Sequence, residues 1–204
     1  FPLRAADAGS SGIRSLLSSQ EEWRWVTLNA DSGLPAGRVQ SIEADGDGTV
    51  WVGTDHGVAW FDGYQFLPPA AGAAALPRDV RRITRMDNGD VALLADRDVW
   101  VGRRGRLRRV PAPAPVAALA PLPGGRLYAS VTDGALQWAD GTWSPLDRGA
   151  VALALFPGLE GRLWGLTPAG MAQWDGSAWR ALPGSRVGEV VDAAVEAEGT
   201  LVMA

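Results

Sequence analysis

From about residue 38 onward the chain is written in short apolar runs separated by Gly, Pro, Asp and Asn, and a helical period is nowhere sustained. The Ala-rich stretches at 70–75 and 112–120 are interrupted by Gly or Pro. Runs such as TVWVG (49–53) and RLWGL (162–166) are apolar at successive positions, the pattern of a strand buried on both faces. A glycine opens such a run at Gly48, Gly89, Gly125, Gly161 and Gly199, at spacings of 41, 36, 36 and 38 residues. Val39, Val80, Val116, Val151 and Val187 open the strand before each glycine. Later in three units, FDGYQF (61–66), WADGTW (138–143) and WDGSAW (174–179) set Asp-Gly between aromatic residues, which predicts hairpins, because glycine accepts the positive φ a tight turn needs. Each unit therefore reads as four short antiparallel strands.

Four strands in about 36–45 residues is the length of one blade of a β-propeller, whereas leucine-rich and β-helical repeats are shorter. The predicted fold is all-β, with units at approximately 38–67, 78–110, 115–146, 150–182 and 186–204. Trp51, Tyr128 and Trp164 take the same place in successive units, with Ala92 in the second, and are expected to pack between blades. Residues 1–21 read as a tail or linker, without the apolar core of a signal peptide. WRWVTL (23–28) resembles the last strand of a unit, so the propeller is expected to span 22–204. Only two strands follow Val187. Propellers close with about 4–8 blades, so four blades and the start of a fifth predict a truncated, partial propeller.

Composition narrows the chemistry. All 19 basic side chains are Arg, and with no Lys the chain has no Schiff-base or P-loop lysine. With no Cys it has no thiolate nucleophile, disulfide or Zn–Cys site. The net charge of −4 argues against a nucleic-acid binder, and no run approaches the length of a membrane span. Ten Trp beside two Tyr suit stacked aromatic layers.

Residues 31–63, DSGLPAGRVQSIEADGDGTVWVGTDHGVAWFDG, resemble the two-component regulator propeller repeat. The matching elements are GLP at 33–35, V-x-x-I at 39–42, DGDG at 45–48, WVGT at 51–54, GV at 57–58 and FDG at 61–63. The resemblance implies the extracytoplasmic or periplasmic sensor part of a bacterial histidine kinase or related regulator, some of which respond to carbohydrates. It fades after the first unit, and any kinase or cyclase activity would lie in sequence outside this chain.

Individual motifs carry weaker chemistry. Asp45 and Asp47 in DGDG suggest a calcium loop, but the twelfth position counted from Asp45 is His56 rather than Glu. A plain turn needs only glycine and local Asp hydrogen bonds. His56, the sole histidine, reads as a solvated turn residue. Asp31, Asp79 and Asp133 fall in loops, where a pair of carboxylates could serve glycoside hydrolysis if a cleft brought them together. No catalytic residue, metal site or cofactor is assigned.

Arginine placement says more. Ten of the 19 fall in the second unit beside five acids, leaving that unit near +5 and the rest near −9. Arg104, Arg106 and Arg108 alternate, as on one face of an outer edge strand. Arg38, Arg78, Arg148 and Arg186 lie just before the strand-opening valines, on the rim expected to carry Asp55, Asp98 and Asp133 in its turns. This rim is the candidate ligand-binding surface, with Arg38, Arg78, Arg148, Arg186, Asp55 and Asp133 offered to a carboxylate or hydroxyl ligand. Mutual Arg–Asp pairing that merely orders the loops accounts for the same residues more economically.

The resulting expectation is a non-catalytic sensory module that binds a small molecule or carbohydrate. Its further partners would be other domains of the same signalling protein and a second copy in the full-length form. The competing readings are a secreted propeller lyase or glycosidase using rim carboxylates, and a passive interaction scaffold.

Overall fold

The computed structural model describes residues 27–70, 75–147, 154–158, 161–184, 193–195 and 201–203. Within them the chain forms four antiparallel four-stranded sheets and one two-stranded sheet. Blade 1 comprises β1 (Val39–Ala44), β2 (Val50–Thr54), β3 (Gly57–Phe61) and β4 (Phe66–Leu67). Blade 2 comprises β5 (Val80–Arg85), β6 (Val91–Ala95), β7 (Asp98–Arg103) and β8 (Arg106–Val110). Blade 3 comprises β9 (Val116–Leu122), β10 (Arg126–Val131), β11 (Gly134–Ala139) and β12 (Thr142–Asp147). Blade 4 comprises β13 (Ala154–Pro157), β14 (Leu163–Thr167), β15 (Gly170–Trp174) and β16 (Trp179–Ala181), and β17 (Ala193–Val195) pairs with β18 (Leu201–Met203). In each blade the strands pair in sequence order, and β1, β5, β9 and β13 each lie beside the innermost strand of the next blade. This is the β-propeller arrangement.

The apolar runs bury both faces of a blade because each face meets a neighbour. Trp51 and Val58 of blade 1 pack against Val80, Ile83, Leu93 and Leu107 of blade 2. On the other face of blade 2, Ala92, Leu94, Val99 and Val101 meet Val116, Leu127, Leu136 and Trp138 of blade 3. Tyr128 of blade 3 then packs with Leu155 and Leu163 of blade 4, and Trp164 packs with Phe156, Leu166 and Met171 of its own blade. Trp51, Ala92 and Tyr128 therefore form one interblade position, as the repeat predicts. The smaller Ala92 is matched by the bulk of Trp138 from blade 3.

The recurring glycines sit in the turns joining the first and second strands, with φ of +79° at Gly48, +82° at Gly89, +69° at Gly125 and +73° at Gly161. A side chain there would hold the backbone in the strained left-handed region. The three Asp-Gly turns differ. Asp140 and Gly141 form a two-residue hairpin, both at positive φ. Asp62 and Asp175 instead cap four-residue turns, accepting from the N–H groups of Tyr64 and Gln65, and of Ser177 and Ala178.

Val39, Val80 and Val116 open the innermost strands as expected, while Val151, Val187 and Gly199 lie outside the described residues, as do the tail at 1–21 and residues 22–26. Thr27 and Leu28, read as the end of a strand, are irregular. Arg104 is also displaced from its predicted place. It falls in the β7–β8 turn rather than on β8, where only Arg106 and Arg108 alternate.

Candidate functional site

The innermost strands of blades 1, 2 and 3 each have an irregular register just after the opening valine. Val39 pairs with Thr54 and Ser41 with Gly53; Val80 pairs with Ala95 and Arg82 with Leu94. Blade 3 repeats the shift, Val116 pairing with Val131 and Ala118 with Ser130. The extra residue in each bulge is Gln40, Arg81 or Ala117. Bulges redirect a side chain out of the alternation of the strand. Here two of the three re-aimed residues converge on one carboxylate: Gln40 Nε2 donates to Asp79 Oδ1 at 2.9 Å and Arg81 Nε to Asp79 Oδ2 at 2.8 Å. Asp79 thereby joins blade 1 to blade 2 at the rim, with its backbone at φ +42°.

Beside it, Asp55 opens the β2–β3 turn. Asp55 Oδ1 accepts from the backbone N–H of Arg38 at 2.8 Å and lies 2.9 Å from His56 Nδ1, while the Asp55 N–H donates to the Arg38 carbonyl at 3.2 Å. The His56 contact and then the Arg38 N–H hold the Asp55 carboxyl below its ordinary range. The Asp79 carboxyl is also lowered, by Gln40 and then Arg81, against a small opposing effect of the nearby Asp55 charge. Both acids are thus carboxylates at neutral pH.

The sequence-predicted residues divide as follows. Arg38 and Asp55 are brought together, through the Arg38 backbone rather than its guanidinium. In blade 2 the backbone N–H of Arg78 donates to Asp96 Oδ2 at 3.0 Å, so the acid equivalent to Asp55 is Asp96 and not Asp98. Asp98 instead turns to Arg109 and to the N–H groups of Val99 and Ala112. Asp133 lies exposed in the β10–β11 turn with no hydrogen-bond or ion-pair partner among the described residues. Its neighbour Thr132 occupies the place of Asp55 and Asp96, so no carboxylate repeats that cap in blade 3. Arg148 and Arg186 lie outside the described residues.

The expected Arg–Asp pairing is present at Arg81 with Asp79 and Arg109 with Asp98, whereas at Arg38 and Arg78 carboxylate-to-backbone bonds order the loops and the guanidiniums have no ion-pair partner among the described residues. The rim between blades 1 and 2 therefore offers Arg38, Arg78, Gln40 and Arg81 around two carboxylates. Sequence reasoning missed Gln40 and Arg81 and saw Asp79 only as a loop acid. The usable signal was their position next to the strand-opening valines.

The DGDG segment is a turn. Asp45 Oδ1 accepts from Asp47 N and Thr49 N, and Oδ2 from the Trp51 indole, so both oxygens are engaged within the chain. The opposite rim carries two clefts, of about 370 Å³ beside Arg103, Arg106 and Arg108 and of about 420 Å³ between blades 3 and 4.

Residues 33–56 match the family described as Two component regulator propeller. No curated protein sequence matches the chain. Among solved structures, a catalytically inactive H270A virginiamycin B lyase from Staphylococcus aureus, with quinupristin, is similar at a TM-score of 0.63 and 12% identity, over 81% of this chain and 62% of that one. The extracellular domain of a protein described as a hybrid two component system from B. thetaiotaomicron is similar at a TM-score of 0.56 and 15% identity, over 80% of this chain and 24% of that one. A gluconolactonase from Xanthomonas campestris is similar at a TM-score of 0.55 and 12% identity, over 81% and 68%. At these identities the likeness is one of fold, and the chain spans less than two thirds of the lyase and about a quarter of the extracellular domain.

Proposed function

We propose that this propeller is a non-catalytic, ligand-binding sensory module of a bacterial signal-transduction protein, and that its ligand contacts the rim between blades 1 and 2. The observation that carries the reading is one of coincidence in place. The segment 33–56, which matches the two component regulator propeller, itself contributes Arg38, Gln40, Asp55 and His56 to that rim. Unpaired guanidiniums flanked by fixed carboxylates suit a small ligand bearing a carboxylate and hydroxyls, such as an acidic sugar. Binding would bias how the propeller packs on other domains of the same protein, or on a second copy of it, and so shift a two-state equilibrium. An extracytoplasmic position accords with this reading.

The test is titration calorimetry of the chain with D-glucuronate and D-gluconate. Arg38→Ala and Arg78→Ala are each expected to weaken binding about tenfold, the loss of one charge-assisted contact. Equal affinity in wild type and both variants would refute the rim.

One observation favours an enzyme as the second reading. Asp55 holds His56 through Nδ1, leaving Nε2 of an exposed imidazole free to move a proton. Turnover of gluconolactone or of quinupristin that His56→Ala abolishes would decide for it.

A further inference from the structure

The cleft between blades 3 and 4, on the rim opposite the Asp79 cluster, lies where the aromatic fill of the first interblade layer is not repeated. In blade 1, Trp51 faces the next blade with Trp60 as its cross-strand partner, and the indole of Trp60 fills the space beside it. In blade 3 the equivalent pair is Tyr128 and Gln137. Gln137 stands where blade 1 has Trp, as Val101 does in blade 2 and Gln173 in blade 4, and a cleft of about 420 Å³ lies beside it. This lies within the range of small-molecule sites.

The pairing register settles which groups look into it. Arg126, Tyr128 and Gln137 share the face of blade 3 turned toward blade 4, and Trp174, paired with Leu163, comes from the facing side of blade 4. Tyr128 is 3% exposed, and its hydroxyl, which makes no hydrogen bond to any described residue, is open to the cleft rather than sealed in the core. A Tyr hydroxyl so placed can both donate to and accept from a bound group. The Gln137 carboxamide, with a donor and an acceptor, is likewise unpartnered among the described residues. Arg126 has its Nε engaged by the Pro123 carbonyl, and the Asp175 carboxylate at the cavity mouth is taken up by its own turn and Arg180.

We infer that this cleft is a second binding site, for a neutral polyhydroxylated ring the size of a monosaccharide. Its hydroxyls would pair with Tyr128 and Gln137 and its carbon face would lie on Trp174. The inference does not rest on the rim reading, since the two sites share no residue.

The experiment is saturation-transfer NMR on the 204-residue chain with D-glucose, D-galactose, D-mannose and D-xylose, followed by titration of any sugar that gives a signal. Tyr128→Phe removes one hydroxyl and is expected to weaken binding about three- to tenfold. Gln137→Trp restores the plug seen in blade 1 and is expected to abolish it while preserving the thermal transition. Arg38→Ala is expected to leave it unchanged. A saturable signal that follows this pattern supports the site. No saturable signal from any of the four sugars, or binding that survives Gln137→Trp, overturns it, and binding lost in Arg38→Ala but kept in Gln137→Trp assigns the sugar to the rim.

Discussion

The indole Nε1 of Trp51 donates to Asp45 Oδ2 at 3.1 Å, tying the first turn of the repeat to the side chain that fills the space between blades 1 and 2. Trp51 is fully buried and Asp45 is 7% exposed. Burial alone would push the Asp45 carboxyl up, but the Trp51 indole, the Thr49 and Asp47 N–H groups and the Arg104 charge together outweigh it and hold the group below its ordinary value.

Replacing that carboxylate leaves three donors without an acceptor. Asp45→Ala is expected to cost about 2–3 kcal/mol, the penalty for unmet buried polar groups. In a domain of this size that lowers the melting temperature by roughly 5–10 °C. Thermal unfolding followed by circular dichroism measures it, and an unchanged transition would mean that the turn does not depend on Asp45.

Gly33 ends the short 3₁₀ turn Ala30–Ser32 at φ +81°, and a Cβ there would lie 2.2 Å from the Phe66 carbonyl oxygen. Gly48 has nearly the same φ, +79°, with nothing within 4 Å of its Cβ position. Both Gly→Ala variants bear the left-handed backbone cost of about 1–2 kcal/mol, and Gly33→Ala must also displace β4. Gly33→Ala is therefore expected to unfold at the lower temperature, with a denaturant midpoint below that of Gly48→Ala. Equal midpoints would show that the GLP segment yields without cost.

Two arginines of blade 2 reach in opposite directions. Arg104, in the β7–β8 turn, lies over Trp60 of blade 1 at 5.4 Å from the ring centroid, and Arg108, on β8, over Trp138 of blade 3 at 5.6 Å. Each contact is expected to contribute about 0.5–1 kcal/mol. Because the two lie in different interblade layers, the losses in Arg104→Ala and Arg108→Ala should add in the double variant within about 0.5 kcal/mol. Chemical denaturation of the four proteins checks this, and strong coupling would mean that the two layers communicate through blade 2.

What the sequence made legible follows from what repeats locally. A turn that needs positive φ calls for glycine, and a layer that must be filled calls for an aromatic residue, so Gly48, Gly89, Gly125 and Gly161 and the Trp51–Tyr128–Trp164 series announce the blades. The rim chemistry was less legible because a bulge inserts one residue without changing composition. That single insertion aims Gln40 and Arg81 at Asp79, and the β6–β7 turn pairs Asp96, not Asp98, with the backbone of Arg78. The cleft beside Tyr128 was hidden for another reason. It depends on two cross-strand partners, Trp60 and Gln137, whose equivalence appears only once the strand register is known.

Acid should undo the outer turns in a defined window. The Asp175 carboxylate accepts from Ala178 N, Ser177 N and Ser177 Oγ and pairs with Arg180, which holds it far below the ordinary 3.8. Asp62 is lowered by Gln65 and Tyr64, and Asp87 by the N–H groups of Gly124 and Gly125 across the blade 2–blade 3 boundary. A carboxyl whose folded pKa lies below its unfolded one stabilises fully above the unfolded value, and that stabilisation is lost as pH falls through the folded value. On account of these acids the melting temperature should hold level from about pH 8 to 5 and fall below about pH 4. Asp175→Asn keeps one acceptor oxygen but cannot ionise, so it should melt below wild type at neutral pH and approach it as the wild-type carboxyl is protonated. Melting curves of both proteins between about pH 7 and 2 read this directly, and a gap that stays constant across that range would show that the charge of Asp175 does not hold the turn.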